Sequence, residues 1–211
     1  MTAPKPNLQT FELADLAQFT REKEYAPDAS PDHHLFYVGR DDVHGVLAYL
    51  FGRVTRSVYL NMFGYDDEAL NTRLMEIAAD PTIAMLVTLD KSQSGGVHEK
   101  KILASDIVQD PDAYRTHFAI GQSATHQISH TKGGVLDGRV GFEGSTNWST
   151  AGEGVFVTGK TVPGGPGYKS QNNTLMVFTD RGSLDAFRDE LVLEHQVAVA
   201  QGGSLHAKPQ T

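Results

Sequence analysis

Apolar residues along this chain recur with two different periods, and the periods divide it into elements. Over residues 42–55, Val43, Val46, Leu47, Leu50, Phe51 and Val54 return at the three-four spacing of one buried helical face. A second such face, Leu70, Leu74 and Ile77, predicts a helix over 67–79 that stops at Asp80-Pro81. Residues 58–63 are rich in β-branched and aromatic side chains and predict a strand. Residues 83–89 are almost wholly apolar, the pattern of a strand covered on both faces. Strand, helix, strand in that order is a βαβ unit, so the first half reads as α/β with parallel strands.

The flanks and the second half are less regular. Leu13, Leu16 and Phe19 suggest a loose helical turn, followed by a surface connection over 26–32 and a short strand at 35–38. A polar turn at 92–96 leads into a predicted helix at 98–105. Short strands are expected at 116–120, 127–132, 135–142 and 175–178, broken by Gly, Asn and Ser. A last helix is expected over 184–199 with Ser183 as its N-cap. There is no internal repeat and no linker. The chain therefore divides into an N-terminal extension (1–34), a single domain (35–199) and a flexible tail (200–211).

The 211 residues are 39% hydrophobic and 21% charged, enough for a core without disulfides. The absence of cysteine removes thiolate nucleophiles and Cys-ligated metal sites. No apolar run approaches the length of a membrane span, so no stable membrane insertion is expected. The first nine residues hold Pro4 and Pro6 and no apolar run, so they do not read as a secretory leader. On that ground the expected location is cytoplasmic, although a leader removed earlier would leave no trace. A formal net charge of −8 argues against a broad basic surface but leaves room for a local basic cleft.

The informative chemistry lies in His130-Thr131-Lys132-Gly133-Gly134-Val135-Leu136-Asp137 and in Gly144-Ser145-Thr146-Asn147-Trp148. If 127–132 is a strand, His130 and Lys132 project from one face. A second strand returning after a Gly133-Gly134 turn would bring Ser145 and Asn147 back over His130. Such a set suits phosphoryl transfer. A neutral imidazole can attack phosphorus, and its cation can donate a proton near neutral pH. Lys132 offers a compact positive charge to phosphate oxygens. Ser145 and Asn147 add neutral donors for the charge that builds up in the transition state. None of this needs a carboxylate cluster, so no divalent metal or other cofactor is implied.

The spacing His-x-Lys-x4-Asp followed by Gly-Ser-x-Asn resembles the HKD signature of the phospholipase D superfamily. The resemblance spans residues 35–199 and implies a phospholipase D-like α/β/α sandwich with a mixed central sheet. It also implies a metal-independent phosphodiesterase. Carried over residue by residue, His130 resembles the nucleophile that forms a covalent phosphohistidine. Lys132 and Asn147 resemble the phosphate-binding pair, and Ser145 the small hydroxyl residue beside them. Asp137 resembles the motif's acid, which is structural. Family members often carry a downstream Glu that holds the far nitrogen of the catalytic His, and here Asn173 stands at about that position. Glu153 is the substitute if the fold brings it near. Residues 159–168, rich in Gly and Pro, lengthen the connection between Asn147 and Asn173.

The reaction needs two histidines, and the chain has one motif. Superfamily members of this size resemble half of the larger enzymes, which implies a homodimer with both copies of His130 facing one phosphate. A small dimeric nuclease acting on nucleic acid is the leading expectation. A phospholipase D or phosphatidyltransferase ranks second, because no amphipathic basic helix or apolar motif for lipid is evident. A binding or scaffold module that has lost turnover ranks third, supported only by the amide at Asn173. Other features read as ordinary. His126 and His130 stand four apart without a flanking HExxH, so they are not taken as a metal pair. His33-His34 reads as a solvated loop pair, Lys100-Lys101 as a wet helix face and Trp148 as packing beneath the site. Arg53 and Arg56 suit a helix C-terminus.

Overall fold

The three-four pattern around Val46 does form a helix, α1 (Val43–Phe51), and it buries Val43, Val46, Leu47, Leu50 and Phe51. The side chain of Asp42 caps it by accepting from the Gly45 amide at 2.8 Å. The helix ends before residue 55. Beyond Gly52 the chain tightens, with the Arg53 amide bonded to Leu50 O and the Val54 amide to Phe51 O. Val54 nevertheless stays buried. Each leucine taken fully out of water on this face, Leu47 for example, contributes about 1.5–3 kcal/mol.

The computed structural model describes residues 6–93, 103, 110–123, 125, 127–154 and 170–201. The βαβ unit is β2 (Ser57–Met62), α2 (Glu68–Ala78) and β3 (Ala84–Asp90), with β2 and β3 parallel. Asp67 caps α2, its Oδ1 accepting from Ala69 N and Leu70 N. The remaining strands are β1 (His33–Tyr37), β4 (Phe118–Gly121), β5 (Lys132–Leu136), β6 (Val140–Gly144) and β7 (Thr174–Phe178). Among the described residues they form one mixed sheet in the order β1-β7-β6-β5-β2-β3-β4. Only β2–β3 and β3–β4 are parallel.

Side chains alternate across this sheet. Val58, Leu60, Leu136 and Val177 face a core shared with α1 and α2, while Tyr59, Val135 and Phe178 face the other way. That second face is covered by the closing helix α5 (Arg181–Ala200) through Leu184, Phe187 and Leu191. The result is a helix–sheet–helix sandwich of the expected class. Leu8, Phe11, Leu13 and Leu16, which precede β1, join the first core, partly as 3-10 turns at Leu8–Thr10 and Leu13–Phe19.

Several expected elements differ. The strand expected at 116–120 begins later, because α3 (Pro111–His117) occupies its first two residues. Pro111 suits the first position of a helix, and Thr116 Oγ1 donates back to Asp112 O. The segment 127–132 is not a strand; β5 starts only at Lys132. Residues 135–142 are not one strand, since β5 turns into β6 at Asp137-Gly138, where φ is +54° and +61°. The Arg139 amide bonds back to Leu136 O at 2.9 Å, and Leu136 pairs with Val140 across this three-residue connection. Gly133 and Gly134 lie inside β5 instead of turning it. A Cβ on Gly133 would stand 2.5 Å from Phe142 O on the neighbouring strand.

The N-cap of α5 is Asp180, whose Oδ1 accepts from the Ser183 amide, so the helix starts before the expected Ser183. His33-His34 belongs to β1 and is not a loop pair; the His34 ring lies 3.9 Å from that of Tyr25. The helix expected at 98–105 falls outside the described residues apart from Leu103, which is helical and buried. Lys100-Lys101, His126, the 159–168 segment and the tail beyond 201 also lie outside them. No helix among the described residues is long and apolar enough to cross a membrane.

Candidate active site

The site forms at the C-terminal ends of the parallel strands β2 and β3, the end of an α/β sheet where ligands usually bind. Asp90, the last residue of β3, is fully buried. Its Oδ2 accepts from the Ser129 amide at 2.6 Å, and its Oδ1 accepts from the Ser92 amide at 2.8 Å. Ser129 is also buried, and its hydroxyl exchanges hydrogen bonds with the Asn61 amide group on β2. The residue before His130 is thus tied to both parallel strands by side chains. This tie does the work that strand pairing was expected to do.

His130 itself is exposed, with its ring edge-on to Phe63 at 4.5 Å between centroids. Lys132 is only 4% exposed. Its Nζ donates to His130 O at 2.7 Å and stands 4.7 Å from the Phe63 ring centre. An ammonium has three hydrogens, so two remain for a ligand. Burial pulls the Lys132 pKa below its usual value, while Glu143 and Asp90 oppose the shift. Burial likewise pushes the Glu143 carboxyl up, with Lys132 pulling the other way.

The other wall follows β6. The Ser145 amide donates to Thr174 O, and Ser145 Oγ accepts from the Thr174 amide, each at 3.0 Å. Asn147 Oδ1 accepts from the Gly64 amide at 3.1 Å, which leaves its Nδ2 donors for a ligand. Trp148 anchors this wall. It is buried, stacked on Tyr65 at 5.5 Å and edge-on to Phe51 at 5.2 Å. His130, Lys132, Ser145, Asn147 and Asn173 line one cavity of about 450 Å³, together with Glu143, Gly144, Gln171 and Thr174.

Two of the singled-out acids lie elsewhere. Asp137 stands at the far end of β5 in the hairpin turn. Its carboxylate accepts from the amides of Thr55, Arg56 and Ser57 and from the Thr55 hydroxyl, and so ties the turn to the chain entering β2. Glu153 is buried against His44, with Nδ1 to Oε2 at 2.8 Å, and does not line the cavity. Asn173 does line it, but its Nδ2 donates to Gly152 O and Gln171 Oε1. Glu143 was missed. Phe142 beside it faces the core, so alternation along β6 was the signal that Glu143 faces the opposite way. Arg53 sits at the end of α1, its guanidinium donating to Tyr49 O.

The arrangement gathers an accessible imidazole, a buried ammonium, an amide and a hydroxyl around a space large enough for a phosphate group. Solved structures with the same architecture include Nuc from Salmonella typhimurium, a phospholipase D family member. It matches with a TM-score of 0.55 and 10% identity over 79% of this chain and 96% of that one. NucT from Helicobacter pylori matches with a TM-score of 0.53 and 13% identity over 78% of this chain and 96% of that one. Phosphatidylserine synthase from Haemophilus influenzae matches with a TM-score of 0.52 and 11% identity over 74% of this chain but 35% of its own. At these identities the likeness is one of fold, and the chain has the α/β fold of phospholipase D family proteins. No protein-family model and no curated protein matches the sequence.

Proposed function

We propose that this protein is a metal-independent phosphodiesterase of the phospholipase D superfamily, a nuclease that works as a homodimer. The observation that carries the reading is the shared cavity of His130, Lys132, Ser145 and Asn147. Two of the fold's neighbours, Nuc and NucT, are covered over 96% of their own length, which favours the small nuclease type over larger enzymes. In the proposed path an imidazole nitrogen of His130 forms a bond to phosphorus as the bond to the leaving oxygen breaks. His130 of the second copy gives that oxygen its proton. The same ring then takes a proton from water, whose oxygen displaces the phosphohistidine and restores His130. Lys132, Asn147 and Ser145 hold the equatorial oxygens throughout.

The test is a parallel assay on single-stranded DNA, RNA, duplex DNA and phosphatidylcholine vesicles. It is run in EDTA and below the melting temperature of the chelated protein. Cleavage of a nucleic acid that persists in EDTA, falls steeply with salt and disappears in His130→Ala is the expected result. Cleavage of the lipid alone would shift the reading to the phospholipase or phosphatidyltransferase type. No turnover on any of the four would overturn it in favour of a binding module, and undiminished turnover in His130→Ala would overturn the assignment of His130 as nucleophile.

A further inference from the structure

Behind the wall that carries Asn147, three side chains from three separate elements converge. His44 comes from the first turn of α1 and Asp67 from the N-cap of α2. Glu153 comes from the short helix α4 (Thr150–Glu153), which follows the Ser145–Asn147 segment. His44 Nδ1 lies 2.8 Å from Glu153 Oε2 and 3.1 Å from Asp67 Oδ2. The side chains of Asp67 and Glu153 are 1% and 0% exposed, and that of His44 16%. None of the three lines the cavity around His130.

The cluster is incomplete as a set of hydrogen bonds. Asp67 Oδ1 is committed to capping α2, which leaves Oδ2 for the cluster. Glu153 Oε1 is buried and has no hydrogen-bond partner among the described residues. One Nδ1–H cannot serve two carboxylates fully, and two buried carboxylates bring two negative charges into a low-dielectric interior. A dication meets both charges and leaves the imidazole neutral, as a ligand must be.

We infer that His44, Asp67 and Glu153 form a binding site for one zinc-like divalent cation, a structural clasp separate from the phosphodiesterase cavity. One ligand atom from each residue falls within 4.8 Å of the other two. An ion about 2.0–2.2 Å from each donor needs donors roughly 3–3.5 Å apart, and His44 Nδ1 stands 2.8 and 3.1 Å from the two carboxylate oxygens. One imidazole nitrogen with carboxylate oxygens suits zinc; calcium and magnesium prefer oxygen alone. Without a cation, protons must supply the balance. Burial pushes the Glu153 carboxyl up to about 8. Against burial, Asp67 and Glu153 hold His44 up at about 10. The clasp joins α1, the start of α2 and the segment after Asn147. It also braces Asn173, which donates to the carbonyl of Gly152 beside Glu153.

The experiment uses the full chain, stripped with EDTA and dialysed, then titrated with Zn²⁺ by calorimetry and followed by thermal melting. One equivalent should bind and raise Tm by about 4 °C or more. His44→Gln and Glu153→Gln should each lose that equivalent. Zinc-edge X-ray absorption of the loaded wild-type protein should show a first shell of one imidazole and otherwise oxygen. That measurement decides the matter even if the variants fold poorly. No bound equivalent, which leaves a proton-only cluster, would overturn the inference. Unchanged stoichiometry in His44→Gln or a shell of several imidazoles would overturn it as well. These readouts use no substrate, so they stand or fall independently of the phosphodiesterase reading.

Discussion

Asp137 shows how one acid in a reactive-looking motif can serve the backbone alone. It gathers three amides and a hydroxyl from Thr55, Arg56 and Ser57, and it occupies a left-handed turn position. Alanine there removes a charged acceptor from these donors and strains the backbone. Asp137→Ala should cost about 2–4 kcal/mol of stability, read from urea unfolding, with Asp137→Asn milder because Asn tolerates that conformation. The folded fraction should retain turnover within tenfold of wild type, unlike His130→Ala. The motif residues were legible because their spacing is local. Asp90, Ser129, Asn61 and Glu143 were not. Asp90 and Asn61 reach Ser129 from 39 and 68 residues away, a separation no short pattern records.

At the scale of elements, α5 carries a pH dependence into the core. His195 is buried on it, with Nδ1 3.2 Å from Thr88 Oγ1 of β3. Burial, helped by His117, lowers its pKa from the ordinary 6.5 against the pull of Val87's backbone. The unfolded chain therefore binds a proton before the folded one does. The contribution of His195 to stability should decline as pH falls below about 6.5 and level off only once the folded ring is also protonated. The difference in urea midpoint between wild type and His195→Gln should fall from pH 8 to 5; the comparison isolates His195 from Glu153, whose raised pKa works in the opposite sense.

The same scale explains what periodicity could and could not show. α1, α2, β2 and β3 were legible because apolar positions face a core at a fixed period. The β5–β6 hairpin was misplaced because Gly133-Gly134 has the composition of a turn. Those glycines serve close strand packing instead, and the turn is the Asp137-Gly138 pair, itself a recognisable hairpin signal. Residues 127–131 carry no strand pattern strong enough to outweigh the side-chain tie to Asp90.

At the scale of the whole molecule, a single His130 per chain and a proposed two-histidine reaction make assembly a requirement of the proposed chemistry. Sedimentation should give twice the 23.0 kDa chain mass. Equal mixing of wild type with His130→Ala, after subunit exchange, tests whether both rings are needed. If they are, only the wild-type pairs work and activity falls to about one quarter; if each chain acts alone, it falls to about half.

The outermost strand β1 pairs with β7, His33 opposite Phe178, and with no other strand among the described residues. A ribosome releases β1 early and β7 on the order of ten seconds later. Throughout that interval the nascent sheet cannot close, and Phe36 has no finished core to enter. Folding of this chain is therefore a late event in its translation, and a transcript cut short of β7 yields a polypeptide that chaperones must hold or proteases must clear.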